Sequence, residues 1–362
     1  MSTGEVAKFI NNILFWPKTL SVVPSGKMLR TNNKFYIFSI FHQLMITLIA
    51  ISAFRYFTYI VTPIDIFRVI LPVYIIFTCI ILNAIKVSLQ IYANQYKDIF
   101  SSLSEINLRL KRINPFSPPL YDTLETKAFE FFWVFSFLYA SMLGSVSFFF
   151  GDHHIWRLSS FVHNTNINMA HFVLTIIECF VTVINIQLDY IKKNIYTKQK
   201  IFALEQCVST YLKIYNTCLK IEKIFSPHLL LIMSLYFAMI IMHLHFLIMK
   251  FSDKHFHTRP LYHEYNVAIT VLCAVDILQC ARCFQMLHSN SEELNIALYE
   301  VLMKREGKEL LKCRKLLASI YANRKISVSA LEFFNVDYTM VQSMISSCTT
   351  FVVIMSQFET SI

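Results

Sequence analysis

Seven mostly apolar stretches alternate with polar segments along the chain. A helix needs roughly 20 apolar residues to cross a bilayer, and each stretch is long enough to do so. The stretches are Phe35–Tyr59, Asp65–Tyr92, Ala128–Phe150, Asn168–Ile191, His228–Phe251, Tyr265–His288 and Asn335–Phe358. The last one contains Asp337, Gln342 and Gln357 among many serines and threonines, so six spans remain the alternative to seven.

Lysine and arginine are concentrated in every second polar segment. Of the 33 in the chain, 25 lie in the N-terminal segment and in the segments after the second, fourth and sixth stretches, and three lie in the segments between. Because cytoplasmic loops carry the basic excess, this predicts a cytoplasmic N-terminus and, with seven spans, an extracellular C-terminus. Loops that face anionic cytoplasmic lipid explain the net charge of +10 without a nucleic-acid partner.

Two of the basic segments, 201–225 and 291–323, have apolar residues near helical spacing and are predicted to be helices. We therefore expect an all-α integral membrane protein with cytoplasmic helical extensions. Its parts are a cytoplasmic segment 1–34, spans one to six in 35–288, a cytoplasmic helical platform 289–334 and a last span 335–358. The extensions either pack on their own chain or join subunits.

Enzyme chemistry finds little support in the sequence. With five glycines in 362 residues, the chain has no glycine-rich phosphate-binding loop, and the common nucleophile and zinc motifs are absent. The acids Glu178, Asp189 and Asp276 lie in predicted spans, but their spacing does not commit them to catalysis. Two groups of histidines fall in predicted extracellular loops and are expected to be solvated. No enzymatic activity, cofactor or metal is therefore expected.

The last predicted span carries a stripe of uncharged polar residues. At 3.6 residues per turn, one face holds Gln342, Ser346, Thr349, Val353 and Gln357, flanked by Ser343, Ser347 and Thr350. Polar side chains at membrane depth are costly unless they face protein or water. The stripe therefore either lines a wet pore with an apolar gate or packs against neighbouring helices through small residues.

The end of this span also carries a recognisable motif. Residues 350–358 read TFVVIMSQF, which resembles the C-terminal signature of insect gustatory receptors: Thr-Tyr, five mostly apolar residues, then Gln-Phe. Phe351 replaces the usual tyrosine and Ser356 takes one of the intervening positions. The preceding segment 326–337 looks like the family's lead-in to the final helix.

The resemblance implies a ligand-gated, non-selective cation channel in the plasma membrane of sensory neurons. It further implies a homo- or heterotetramer in lipid, in which the last helix of each subunit lines the pore and the cytoplasmic helices join subunits. The pore and gate residues it predicts are Gln342, Ser346, Thr350, Val353, Ile354, Gln357 and Phe358. A small-molecule tastant would bind each subunit in the outer half of the earlier spans.

Polar residues in the outer halves of these spans are the candidates for ligand binding. They are Arg68, Tyr74, His171, Glu178, His243 and Tyr265. Glu178 and His243 are favoured, because a buried ionisable group in a span marks a functional site by default, with interhelical hydrogen bonding as the alternative. The chain shows no sugar-receptor signature, which favours a bitter or other non-sugar tastant and leaves a sugar as the alternative.

Three other classes of membrane protein compete with this interpretation. A G-protein-coupled receptor has the opposite orientation, and its DRY-type and NPxxY motifs are absent from the expected spans. An insect odorant receptor shares fold and orientation, but the Gln-Phe ending favours the gustatory branch. A secondary transporter would require internal repeats and helices broken by glycine or proline, of which the spans show little.

Overall fold

The computed structural model describes residues 65–113, 154–195, 201–252, 260–303 and 326–360, together with positions 44, 47, 48, 51 and 318. These ranges contain five helices: α1 (Asp65–Ile113), α2 (His154–Ile195), α3 (Ile201–Ser252), α4 (Pro260–Met303) and α5 (Tyr338–Thr360). The predicted segment 1–34 and span 128–150 lie outside the described residues, as do nearly all of span 35–59 and of platform residues 304–325.

Several of these helices are much longer than a bilayer requires. The predicted helix 201–225 is confirmed, and it continues into the fifth predicted span within the 52 residues of α3. The second predicted span, by contrast, ends at Tyr92, whereas α1 runs on to Ile113. The helix thus continues beyond the predicted span. This extension is polar on one side, while its apolar side is buried at Ile99, Leu103 and Ile106.

Among the described residues, three helical stretches are long and apolar enough to cross a membrane: Ala170–Ile195, Leu204–His245 and Val267–Met303. Of the most apolar part of each, 89% is buried in the first, 56% in the second and 50% in the third. Helix α2 is therefore the central helix of the described bundle. Helices α1, α3 and α4 pack against it. Apolar side chains such as Ile80 on α1 and Val271 on α4 stay exposed, as a lipid-facing surface requires.

Ion pairs join the basic ends of these helices. Lys213 of α3 pairs with Glu105 of α1, which also accepts hydrogen bonds from Arg109 at 2.9 and 3.2 Å. Hydrogen bonds from Lys213 and Arg109 hold the pKa of the exposed Glu105 carboxyl below its usual range. Lys192 of α2 pairs with Glu293 of α4 in the same way. The extensions therefore pack on one another within the chain.

The final helix is preceded by a short folded segment, residues 326–337, which we term the lead-in. A single antiparallel bridge joins Ser329 to Asn335, and Asp337 caps the helix by accepting hydrogen bonds from the backbone N–H groups of Thr339 and Met340 at 2.9 and 3.1 Å. The last span was predicted to begin at Asn335, but helix α5 begins at Tyr338 because this cap ends the lead-in.

Candidate functional site

A buried polar cluster joins the three central helices. The Nδ1 atom of His171 on α2 lies 3.0 and 2.9 Å from the two carboxylate oxygens of Asp276 on α4. The hydroxyl of Tyr236 on α3 donates a 2.8 Å hydrogen bond to the same carboxylate. His171 and Asp276 are each only 3% exposed, and Tyr236 is 0% exposed. Asp276 is thus the common acceptor of a network that crosses between helices in an apolar core.

A second acid lies beside this network. Glu178 follows His171 by seven residues on α2, which places both on one face of the helix two turns apart. It is 5% exposed, and its carboxyl group interacts electrostatically with that of Asp276. Two carboxyl groups, an imidazole and a phenol therefore share one region of the core. Such a group can hydrogen-bond a polar ligand or balance the charge of a cationic one.

One atom of the cluster has unused hydrogen-bonding capacity. The Nε2 atom of His171 is buried and has no hydrogen-bond partner among the residues that the structure describes. Buried polar atoms are nearly always paired, so an unpaired one calls for a ligand, a water molecule or a functional reason. This makes His171 the member of the cluster best able to accept a new polar contact.

Two of the four cluster residues were among the ligand candidates predicted from the sequence, and their part in ligand binding stays a prediction. The sequence singled out His171 and Glu178, whereas Asp276 was considered only as a catalytic acid and Tyr236 was missed. An ionisable residue inside a span was the signal that could have added Asp276. No comparable signal exists for Tyr236, because tyrosine is common in apolar helices. Asp189 lies apart from the cluster and pairs at 2.5 Å with Lys193, one turn later on α2.

The remaining ligand candidates are placed less completely. His243 is buried on α3, seven residues beyond Tyr236 and hence near the same face of that helix. Arg68 and Tyr74 lie on α1 and Tyr265 lies on α4, but the positions of these three side chains fall outside the described residues. Their proposed part in ligand binding stays a prediction.

Helix α5 buries one side and exposes the other. Met340, Val341 and Cys348 are buried where α5 packs on α3 and α4. On the opposite side, exposed positions include the predicted pore residues Gln342, Ser346, Thr350, Val353, Ile354 and Gln357. Phe358 ends the predicted motif within α5, but its side chain lies outside the described residues. The polar stripe therefore lies on the exposed side of α5 in the described part of the chain.

Some polar groups on this face are satisfied locally. The hydroxyl of Thr350 donates to the carbonyl oxygen of Ser346 at 3.0 Å, and the hydroxyl of Thr349 donates to that of Ile345 at 2.9 Å. Such bonds to the preceding turn lower the cost of a hydroxyl in an apolar setting. The hydroxyls alone are therefore compatible with lipid. The Gln342 side-chain amide has two donors and an acceptor, so it is the stronger indication of water or a partner chain.

The aromatic residue that departs from the family motif has a packing role. The ring of Phe351 meets that of Phe237 on α3 edge-on, with the ring centres 6.2 Å apart. Edge-to-face packing of this kind needs the ring and not a hydroxyl. The phenylalanine ring at position 351 therefore supplies all that this contact between α5 and α3 requires.

The sequence pattern of the 7tm Chemosensory receptor family matches residues 16–362. The chain belongs to this family. No curated protein matches it.

Among solved structures, the receptor is similar to the olfactory receptor OR5 of the insect Machilis hrabei. The two share 12% sequence identity with a TM-score of 0.71, over 99% of this chain and 100% of the other. OR5 in complex with eugenol gives 13% identity and a TM-score of 0.68 over the same shares. At such low identity the likeness shows the fold alone. The receptor is thus an all-helical, multi-pass membrane protein of the insect olfactory and gustatory receptor fold, and not an enzyme.

Proposed function

We propose that the receptor is a gustatory receptor that acts as a ligand-gated, non-selective cation channel in the plasma membrane of sensory neurons. The observation that carries this proposal is the polar stripe of α5, whose residues are exposed in the described part of the chain. Side chains such as Gln342 would be costly against lipid, so the stripe must be covered by other subunits or by water. A tetramer with α5 around a central pore, formed with the same or another gustatory receptor, meets both needs.

The pore assignment follows the order of residues along α5. Gln342, Ser346 and Thr350 would line the wider, wet part of the pore. Val353 and Ile354, which are 48% and 43% exposed, would form its apolar gate, with Gln357 and Phe358 at the outer end. Apolar constrictions close a pore by excluding water, and they open when the helices move apart. The absence of charged residues from residues 338–358 supports weak discrimination among cations.

The ligand would act through the buried cluster of α2, α3 and α4. His171 and Glu178 would contact a polar group of the ligand, and apolar neighbours such as Phe172 would contact its rings or chains. This environment is largely apolar with few polar groups, which supports a bitter or other non-sugar compound over a sugar. The TFVVIMSQF motif supports the gustatory branch.

The alternative is an odorant receptor of the same fold. The likeness to OR5 favours it, since that receptor was solved in complex with eugenol. A panel of denatonium, caffeine, sucrose and eugenol separates the possibilities when whole-cell currents are recorded from cells that express the receptor. Currents evoked by denatonium or caffeine support the proposal, whereas currents evoked by eugenol alone support the alternative.

The pore assignment has its own test in the Gln342→Lys variant. A positive charge inside a cation pore repels permeating ions by about 1 kcal/mol or more at contact distance in water, so we expect evoked cation current to fall at least about fivefold. The control is Ile345→Gln, which adds a polar group at an exposed position beside the stripe. The pore assignment is wrong if Gln342→Lys reaches the cell surface and conducts like the wild type.

A further inference from the structure

The lead-in to α5 is tied to helix α3 by four hydrogen bonds at one place. The backbone N–H and the hydroxyl of Ser329 both donate to the Glu222 carboxylate, at 3.0 and 2.9 Å. The hydroxyl of Ser226 donates to the carbonyl oxygen of Ser329 at 2.8 Å and accepts a hydrogen bond from the backbone N–H of Leu331. We term Glu222, Ser226 and Ser329 the clamp.

The lead-in has little freedom to move independently of the clamp. The backbone N–H of Val336 donates to the carbonyl oxygen of Val328 at 3.1 Å, and both side chains are buried. Leu331 and Glu332 have φ angles of 52° and 63°, in a region that residues other than glycine rarely occupy. Strained backbone of this kind persists only where surrounding contacts impose it, and here the Leu331 N–H is held by Ser226.

The helices that hold the lead-in also carry the buried polar cluster. Ser226 precedes Tyr236 by ten residues on α3, or about 15 Å of helix. On α4, His288 donates from Nδ1 to the carbonyl oxygen of Ile326 at 3.2 Å, twelve residues after Asp276. A shift of α3 relative to α4 at the cluster would therefore reach both attachment points of the lead-in. Pro227 directly follows Ser226 and marks a natural bending point of α3 beside the clamp.

We infer that the clamp residues Glu222, Ser226 and Ser329 are positioning residues that fix α5 relative to α3 and transmit movement of α3 to α5. The inference rests on the proposed function, because it requires α5 to be the helix that lines the pore. None of the four clamp hydrogen bonds involves a residue of the buried cluster or of the polar stripe. They act on the pore only through the lead-in, whose last residue, Asp337, caps α5.

The test uses a reporter on α5 that requires neither a ligand nor a current. Ser346→Cys, at an exposed position of the stripe, is introduced into the full-length receptor in lipid nanodiscs. Its rate of labelling by a trimethylammonium-ethyl methanethiosulfonate is measured by mass spectrometry, against the receptor without the reporter. We expect Ser226→Ala and Glu222→Ala to raise this rate at least threefold, because α5 is no longer held in one position.

Matched variants separate this effect from general loosening. Ser226→Thr and Glu222→Gln retain a hydroxyl and a carbonyl oxygen at the clamp and should restore the rate to within 1.5-fold of wild type. Lys223→Ala changes an exposed neighbour on α3 and should leave the rate unchanged. A second reporter, Lys97→Cys at an exposed position of α1, should be labelled equally in all variants.

Three results would overturn the inference: an unchanged or lower rate at position 346 in both alanine variants, an equal rise in Lys223→Ala, or an equal rise at position 97. These results are independent of the proposed function. Failure of the wild type to conduct with denatonium, caffeine, sucrose or eugenol would count against the channel, while the labelling rates would still decide whether the clamp positions α5.

Discussion

The cluster between α2, α3 and α4 and the exposed face of α5 place polar groups at membrane depth in opposite ways. In the cluster, Asp276 is almost fully buried and receives hydrogen bonds from two other helices. On α5, Gln342 and Ser346 point away from the described bundle. Both arrangements avoid contact between polar groups and lipid, the first within one chain and the second only when other chains or water cover the stripe.

This difference indicates that the cluster stabilises the fold of one chain, whereas the stripe of α5 acts in the assembled channel. A buried, paired carboxylate is part of the core, so its removal should destabilise the chain itself. An exposed polar stripe contributes little to the fold of one chain, so its alteration should change conduction instead. Variants of the buried cluster should therefore lose stability, whereas variants of the polar stripe should keep their stability and change the current.

The largest effect is expected from Asp276→Ala. The substitution leaves His171 and Tyr236 without their common acceptor in the core, and breaking a buried pair from one side costs about 3–5 kcal/mol. The free energy of unfolding, measured by denaturant titration in detergent micelles, should fall by this amount. Asp276→Asn retains an acceptor oxygen and should lose less. Equal stability of Asp276→Ala and wild type would show that the cluster is not part of the core.

A smaller effect is expected from Asp337→Ala at the start of α5. Loss of a helix cap costs about 1 kcal/mol, and Asp337→Asn, which also caps helices well, is the control. Partial burial opposes ionisation of Asp337, but hydrogen bonds from Thr339 and from the Met340 N–H outweigh it and lower its pKa. The charged cap therefore stabilises the fold above the ordinary aspartate pKa of about 4, and this contribution is lost as the pH falls through the lowered value.

The pH dependence gives a direct measurement of the cap. The stability difference between wild type and Asp337→Ala should be constant from neutral pH down to about pH 5 and should shrink below about pH 4. A difference that grows on acidification would mean that the carboxylate is not the stabilising form. The stability lost in Asp337→Ala should be about a third to a fifth of that lost in Asp276→Ala. Such a ratio would support the distinction between the buried cluster and the start of α5.

The smallest effect on stability is expected from the double variant Ser346→Ala/Thr350→Ala. Both positions are exposed, and the Thr350 hydroxyl donates a hydrogen bond to its own helix, so the free energy of unfolding should stay within about 0.5 kcal/mol of wild type. Single-channel conductance should nevertheless change, because the variant removes two hydroxyls from the proposed pore. A stability loss as large as that of Asp276→Ala would contradict the distinction between the two regions.

Much of the architecture could be predicted from the sequence because hydropathy acts locally. Long apolar runs must form helices in a bilayer, since no other partner for their backbone groups is available there. The same logic identified the helical segment 201–225 and the polar stripe of α5. Hydropathy did not indicate the part of α1 beyond Tyr92, where the helix is held by packing of one face and not by overall apolarity.

The sequence by itself therefore determined the class of the protein, its helices and the ionisable residues that needed explanation, because each depends on composition and spacing along one segment. Only the tertiary structure decided which of those residues meet. It brought His171, Tyr236 and Asp276 together from three helices, and it joined Ser226 to Ser329 across 103 positions of the chain. Such contacts depend on how helices rotate and shift against one another, which the periodicity of a single helix does not fix.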